Sequence, residues 1–379
     1  MGKSTALRFL VVGVLVVFLA RAGVEQASSR SAITRTAVAT TVSTPSRPKA
    51  QAVHEATVAR PTTPATPSPL PRVAATPASS PHQRVGIYLG SYNLAQASVL
   101  NEVLARAKEG LLNAVVINVK DNHGEVTYSS AVPLAKEIKA ATGGLNLASL
   151  LPILKHNGIY LIARQVVFDD PKLATYLKSP QAPWVVPTDE RAVSYNLDIA
   201  NEVAALGFDE IQFDYIRYPD GGGLTSGYSA RYAAIDRFVE RAKSLLAGRV
   251  YVSADLFGRV MWSWNAKRTD PIGQSLEDMA LHMDILSPML YPSHYYEQVY
   301  KSDPYRVVKE TLATGKNRVA TPFRPYLQAF DMAIPPGMSL EAYIRAQIKA
   351  AVECGADGYL FWNPSCDYRA LFRALRETP

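Results

Sequence analysis

Cysteine is scarce, two residues in 379. That leaves no material for a disulfide-built scaffold or a multi-cysteine zinc or iron–sulfur site. Long apolar runs are scarcer still. There is one, at the very N-terminus, so the chain is not a polytopic membrane protein. The six histidines include no pair four residues apart, which argues against a zinc hydrolase built on two helical histidines. Neither G-x-S-x-G nor a phosphate-binding P-loop occurs. An excess of one charge is missing where it would matter. The formal net charge is +7, but residues 1–83 hold nine Lys/Arg against two Asp/Glu, and the remaining 31 of each sign cancel. The basic excess belongs to the N-terminal tail, and nucleic acid is not an expected partner.

What is present begins with a leader. Lys3 and Arg8 flank the start of an apolar stretch at 9–20, and Ala20-Arg21-Ala22 reads as a small-x-small cleavage site. Residues 1–22 are expected to be a signal peptide or an uncleaved signal anchor. Either one sends the rest of the chain out of the cytoplasm, to the periplasm, the medium or the outer side of a membrane. No cysteine follows the run, so a lipoprotein anchor is excluded. Residues 23–83 are rich in Pro, Ala, Thr and Ser, with nine prolines and no aromatic residue. Such a segment cannot bury enough apolar surface to offset its ordering entropy, so a disordered stalk is expected.

From residue 84 to the C-terminus the composition changes, and strands alternate with helices. Strand-like runs at 85–89, 114–120, 159–168, 210–214, 250–255, 285–291, 318–322 and 358–362 alternate with helical spacing at 94–109, 147–156, 199–206, 230–246, 276–282, 304–313, 340–352 and 368–376. Eight β-then-α units with apolar strands predict a closed (β/α)8 TIM barrel over 84–379. The rival, a doubly wound open sheet, would carry G-x-G-x-x-G after its first strand, where this chain has Leu89-Gly90-Ser91-Tyr92-Asn93.

A barrel of this kind works at the C-terminal ends of its strands, so the residues there are the candidates. In Gly207-Phe-Asp-Glu-Ile-Gln-Phe-Asp-Tyr-Ile-Arg-Tyr-Pro219, alternation puts Glu210, Gln212 and Asp214 on one face. Asp214 ends that strand, and Glu210 and Gln212 read as a supporting polar network. One strand on, Ser253 and Asp255 share a face and reach the same rim. Neighbouring strands lie roughly 5 Å apart. Two carboxylates so placed can flank one bond, as glycoside hydrolysis requires, and their repulsion separates their pKa values. Asp214 is expected to act as nucleophile or base and Asp255 as acid, or else Asp255 only orients Asp214 or Arg217. Asp121, Arg164, Arg217 and Arg324 are expected to bind substrate, and Tyr291 and Trp362 to offer flat faces to sugar rings. Trp262 and Trp264, in a loop at 258–270, could form one cleft wall. Asp121-Asn-His-Gly-Glu125 is similar to a calcium loop but lacks the full ligand register, so it is read as a lining of the cleft. Gly221-Gly-Gly223 reads as a hinge or a plain connector. Cys354 and Cys366 bracket the eighth strand, too far apart for a bridge. No metal or other cofactor is expected.

Several of these segments together resemble a known family. Asn113-Ala-Val-Val-Ile-Asn-Val-Lys-Asp121, Ile162-Ala-Arg164, the fourth-strand segment above, Ser253-Ala-Asp-Leu-Phe-Gly258 and Ser287-Pro-Met-Leu-Tyr-Pro-Ser-His294 are similar to the putative glycosyl hydrolase domain family of bacteria and archaea, within the glycosidase TIM-barrel superfamily. The resemblance spans about residues 84–375. It implies a (β/α)8 barrel, a polysaccharide substrate, and catalytic carboxylates at the ends of strands 4 and 5, here Asp214 and Asp255. Many related enzymes carry Glu at one of these ends, and the D-x-x-D-x-D-x-E of chitinases is absent. The expected protein is a monomeric, secreted or envelope-anchored glycoside hydrolase that meets a membrane only through its N-terminus. The rival classes are a non-catalytic polysaccharide-binding barrel and a lyase or transglycosidase using the same cleft.

Overall fold

Runs of β-branched and aromatic residues make the strands. The computed structural model describes residues 79–221 and 226–378. The expected leader at 1–22, the stalk up to residue 78, and Gly222 and Gly223 lie outside the described residues. Among the described residues ten strands occur in chain order: β1 (Arg84–Leu89), β2 (Ala114–Lys120), β3 (Val126–Tyr128), β4 (Ala141–Leu145), β5 (Tyr160–Val166), β6 (Glu210–Asp214), β7 (Tyr251–Phe257), β8 (Ile285–Met289), β9 (Tyr326–Gln328) and β10 (Gly358–Trp362). Eight of them pair in parallel in the order β1-β10-β9-β8-β7-β6-β5-β2, and the β1–β2 pairing closes the ring. This is the (β/α)8 barrel. Asn146, Asp170, Asp189, Ser275, Asp303 and Ser339 each cap the N-terminus of a surrounding helix with a side-chain oxygen.

Two apolar layers result from strand alternation. The larger one lies between strands and helices, with Val115, Ile117, Ile211, Phe213, Val252 and Ala254 among its members. The smaller fills one part of the barrel interior with Ala114, Val116, Tyr160, Ile162, Tyr326 and Leu360. Gly86 on β1 has no room for a side chain, since a Cβ there would meet Ala114 O at 2.9 Å and Leu360 Cδ2 at 3.0 Å. The rest of the interior is polar and stacks in levels. At the N-terminal end Glu210 pairs with Arg324 and accepts from Tyr160 Oη at 3.1 Å and from Ser253. Above it Gln212 accepts from Tyr326 Oη at 2.7 Å and donates to Ser287 Oγ at 3.1 Å. Asp214 and Asp255 lie at the top. Each buried polar group costs several kcal/mol unless partnered, on the order of 2–7; the carboxylate, amide and hydroxyl groups of these two lower levels are partnered, while Arg324 Nε is buried without a hydrogen-bond partner.

The seventh stave departs from the sequence expectation at 318–322. Pairing to β8 starts at Pro322, whose carbonyl accepts Leu286 N–H at 2.9 Å, and Arg324 N–H returns to Leu286 O at 2.8 Å. Pro322 and Pro325 have no N–H to give, so the ladder is broken and only Tyr326–Gln328 is regular strand. Arg318 points away, bonding Glu277 and the carbonyls of Val260 and Trp262. Upstream of Arg84, Pro81 O accepts from Arg324 Nη1 at 3.2 Å and His82 Nδ1 lies 2.6 Å from Asp357.

Between β2 and the helix Leu147–His156 an excursion, β3 and β4 with the short helix Pro133–Glu137 between them, had no counterpart in the sequence expectation. Glu202 ties it down by accepting from Tyr128 Oη at 2.7 Å and from Ser130 Oγ and Ala131 N–H, both at 2.5 Å. Gly124 is required at its turn. Its φ is +75°, and a Cβ there would collide with Asp170 Oδ1.

Candidate active site

The ends of β5, β6 and β7 bring one arginine and two aspartates together. Arg164 gives two charge-assisted hydrogen bonds to Oδ2 of Asp214, from Nε at 2.9 Å and Nη2 at 2.5 Å. Its Nη1 donates to Asn118 Oδ1 at 2.7 Å, and its guanidinium lies 5.4 Å from the Tyr88 ring. The same Nε stands 3.9 Å from Asp255 Oδ2. The two carboxylates therefore share one cation and lie no further apart than those two lengths laid end to end. That ceiling lies below the wide end of the separations of paired glycosidase carboxyls, about 5–9.5 Å.

Their environments differ. Asp214 Oδ1 accepts the N–H of Tyr215 at 2.6 Å. Tyr215 itself sits at φ +54°, the left-handed region that bulky residues avoid, and such outliers gather at functional sites. Asp255 has a carboxyl oxygen, Oδ1, that is buried and without a hydrogen-bond partner. Burial first, then the charge of Asp214, pushes the Asp255 carboxyl well above the usual range, against the pull of Arg164 and Arg324. That direction favours the protonated form of Asp255 and suits it to the part of an acid. Both are recessed: the Asp214 side chain is 9% exposed, that of Asp255 2%.

Aromatic rings stand on the β8–β10 side of the mouth. Tyr291 stacks on Trp362 at 5.7 Å and meets Phe330 edge-on at 5.9 Å, while Phe330 and Trp362 cross at 5.2 Å. Burial, then Asp255 and Asp214, raises the Tyr291 phenol well above its ordinary value, so it remains a hydroxyl donor.

Five of the expected residues are thus gathered at the mouth: Asp214, Asp255, Arg164, Tyr291 and Trp362. Arg217 lies beside them, ringed by Trp184, Tyr215 and Phe257. Asp121 caps its own turn, accepting from His123 and Glu125 N–H, both at 2.9 Å. Arg324 is corrected. It is fully enclosed at the N-terminal end of the barrel in its pair with Glu210, because its stave begins downstream of the expected one and turns it inward below Tyr326 and Gln328. Lys120 is turned outward by a bulge after Asn118, to Asp170 at 2.8 Å. Trp262 packs on Tyr300 at 5.7 Å. Cys354 and Cys366 are both free.

Sequence reasoning missed Asn118, Trp184, Phe257 and Phe330 as members of the site. Asn118 was findable, since it continues the inward file of Ala114 and Val116. The other three had no local signal. Among the described residues, no group of three or more His, Cys, Asp or Glu is placed to hold a metal ion.

The fold and this mouth define a glycosidase-type barrel. Residues 86–368 match the family described as putative glycosyl hydrolase domain, and the chain belongs to that family. The chain is similar in structure to the glycoside hydrolase domain of PgaB (BpsB) from Bordetella bronchiseptica, at 15% identity and a TM-score of 0.59, covering 78% of this chain and 98% of that one. It is also similar to the endo-β-1,4-mannanase of Thermotoga petrophila, at 12% identity and a TM-score of 0.55, covering 80% and 77%. A third likeness is to the spore cortex-lytic enzyme SleL of Bacillus cereus, at 12% identity and a TM-score of 0.52, covering 79% and 75%. At such identities the likeness is one of fold. Among curated proteins, none matches the sequence.

Proposed function

We propose that the protein is an extracytoplasmic glycoside hydrolase that cleaves a polysaccharide with two carboxyl groups. The observation that carries this reading is the contrast between neighbours: Asp214 bonded twice by Arg164, and Asp255 buried with one carboxyl oxygen unpartnered, which favours its protonated form. Asp255 gives its proton to the glycosidic oxygen as the bond from that oxygen to the anomeric carbon breaks. Asp214 attacks the anomeric carbon, or takes a proton from the water that does so. Tyr291 and Trp362 offer rings for a sugar face. Purified protein is tested against envelope and exopolysaccharides for release of reducing ends, with Asp214→Asn as control. Full turnover by a folded Asp214→Asn protein removes that residue from the mechanism. Unsaturated products would indicate a lyase, and lengthened chains a transglycosidase.

One observation favours the second reading, a barrel that binds polysaccharide without cleaving it. The acid is almost sealed, at 2% exposure, and a groove of about 540 Å³ lies elsewhere, between the helices Glu190–Ala205 and Tyr228–Leu246. Glycan binding that survives loss of both aspartates, with no reducing ends released, would establish it.

Export rests on the leader. A reporter fused after residue 83 that is active only outside the cytoplasm supports it, and a cytoplasmic reporter removes it.

A further inference from the structure

Among the described residues, Arg217 is a cation without a counter-ion. Its guanidinium carbon lies 4.4 Å from the Phe257 ring centroid, 4.6 Å from Trp184 and 5.1 Å from Tyr215. The three rings come from three segments: the end of β7, the long connection after β5, and the residue directly after Asp214. One hydrogen bond holds the side chain, from Nη1 to Tyr218 O at 3.1 Å. A guanidinium has five N–H donors in a planar fork. The others on Arg217 are not sealed, because none of its nitrogens is a buried atom lacking a partner.

Nearby acids are committed elsewhere or held back. Asp214 pairs with Arg164, and Asp220 and Asp270 pair with Arg259. Asp169 has no ion pair among the described residues, and burial, against the pull of Arg217, pushes its carboxyl up to about 6. Among the described residues, no carboxylate oxygen stands within 4.0 Å of the Arg217 guanidinium. Aromatic faces contribute about 0.5–2 kcal/mol to a cation, and among the described residues the Nε–Nη2 edge of the fork has no hydrogen-bond partner, only Nη1 being bonded. That edge is what recognises a carboxylate in two-pronged fashion.

We propose that Arg217 is the anion-recognising residue of the cleft, and that the substrate is an acidic polysaccharide whose sugar carries a carboxylate beside the bond to be cleaved. The proposal rests on the glycosidase reading of the same mouth and narrows its substrate class. Nothing in the lower barrel could serve this purpose, since Arg324 is closed in with Glu210.

The experiment measures binding separately from turnover. Oligogalacturonates, oligomannuronates and muramic-acid-containing glycan strands are titrated calorimetrically into wild type and Asp214→Asn at fixed ionic strength. Each probe is compared with its carboxyl-reduced, neutral counterpart. At least one acidic probe is expected to bind about tenfold or more tightly than its reduced form, a difference of about 1.4 kcal/mol. Arg217→Gln is expected to abolish that preference and Arg217→Lys to keep part of it, with far-ultraviolet dichroism confirming the fold of each. Equal binding of every acidic and reduced pair, or binding of none, overturns the proposal. Hydrolysis of glycans without an acid preference overturns it and leaves the hydrolase standing. An Arg217-dependent preference without any hydrolysis upholds the site and removes the hydrolase.

Discussion

Arg164 directs two donors at a single atom of Asp214, Oδ2, with Nε at 2.9 Å and Nη2 at 2.5 Å. A lysine offers one point charge in place of this fork. Losing one charge-assisted hydrogen bond, about 1.5–3 kcal/mol, corresponds to roughly ten- to hundredfold in rate if the bond is maintained in the transition state. Arg164→Lys is expected to lower kcat by that order while KM moves less. Steady-state kinetics on the cleaved polysaccharide check it, and unchanged kcat would mean that the pair only supports the fold.

Asp255 couples activity to a cost in stability. An unfolded aspartate ionises near pH 3.9. In the fold, burial and then the charge of Asp214 hold Asp255 well above that. Between the two values the unfolded chain releases a proton that the folded chain keeps, so stability falls as pH rises. Asparagine has no such proton. Asp255→Asn is expected to lose turnover by about 10²–10⁴-fold, yet to resist urea better than wild type near pH 7, with the gap closing toward pH 4. Urea titrations at both pH values decide, and a gap independent of pH would mean that Asp255 is ionised in the fold.

Arg324 and Glu210 form a fully buried ion pair at the closed end of the barrel. Removing one partner strands the other, at about 3–5 kcal/mol. Arg324→Met is expected to lose that much in urea unfolding, and adding Glu210→Leu to recover a large part of it. A substrate-contacting arginine would behave in the opposite way, with KM affected and stability spared.

Trp362 is half-buried and stacked on Tyr291. An aromatic contact of this kind is worth about 0.5–1.5 kcal/mol beyond its area. Trp362→Ala is expected to weaken glycan binding roughly two- to tenfold, and Trp362→Phe by less. Titration of the Asp214→Asn form, which separates affinity from turnover, reads the effect directly.

Much of this molecule was legible residue by residue. Alternation along 210–214 placed Glu210, Gln212 and Asp214 on the inner face, and the bounds of β2, β6 and β10 were read without error. Where local signals conflicted, the reading slipped. The run at 318–322 looks like a strand, but the two prolines at 322 and 325 move the pairing downstream and carry Arg324 from the expected rim into the barrel floor. Lys120 is turned out of the inward file of Ala114, Val116 and Asn118 by a single bulge, a one-residue event that reverses the direction of every side chain beyond it on the strand.

Periodicity is a property of neighbours in the chain, so the order of strands and helices, their closure into a barrel and the inward file ending in Asp214 could all be argued from the amino acids alone. Partnership is a property of neighbours in space. The cation shared by Asp214 and Asp255, the burial that raises the Asp255 carboxyl, and the ring of Trp184, Tyr215 and Phe257 around Arg217 each join segments tens of residues apart. They exist only once the staves are set side by side.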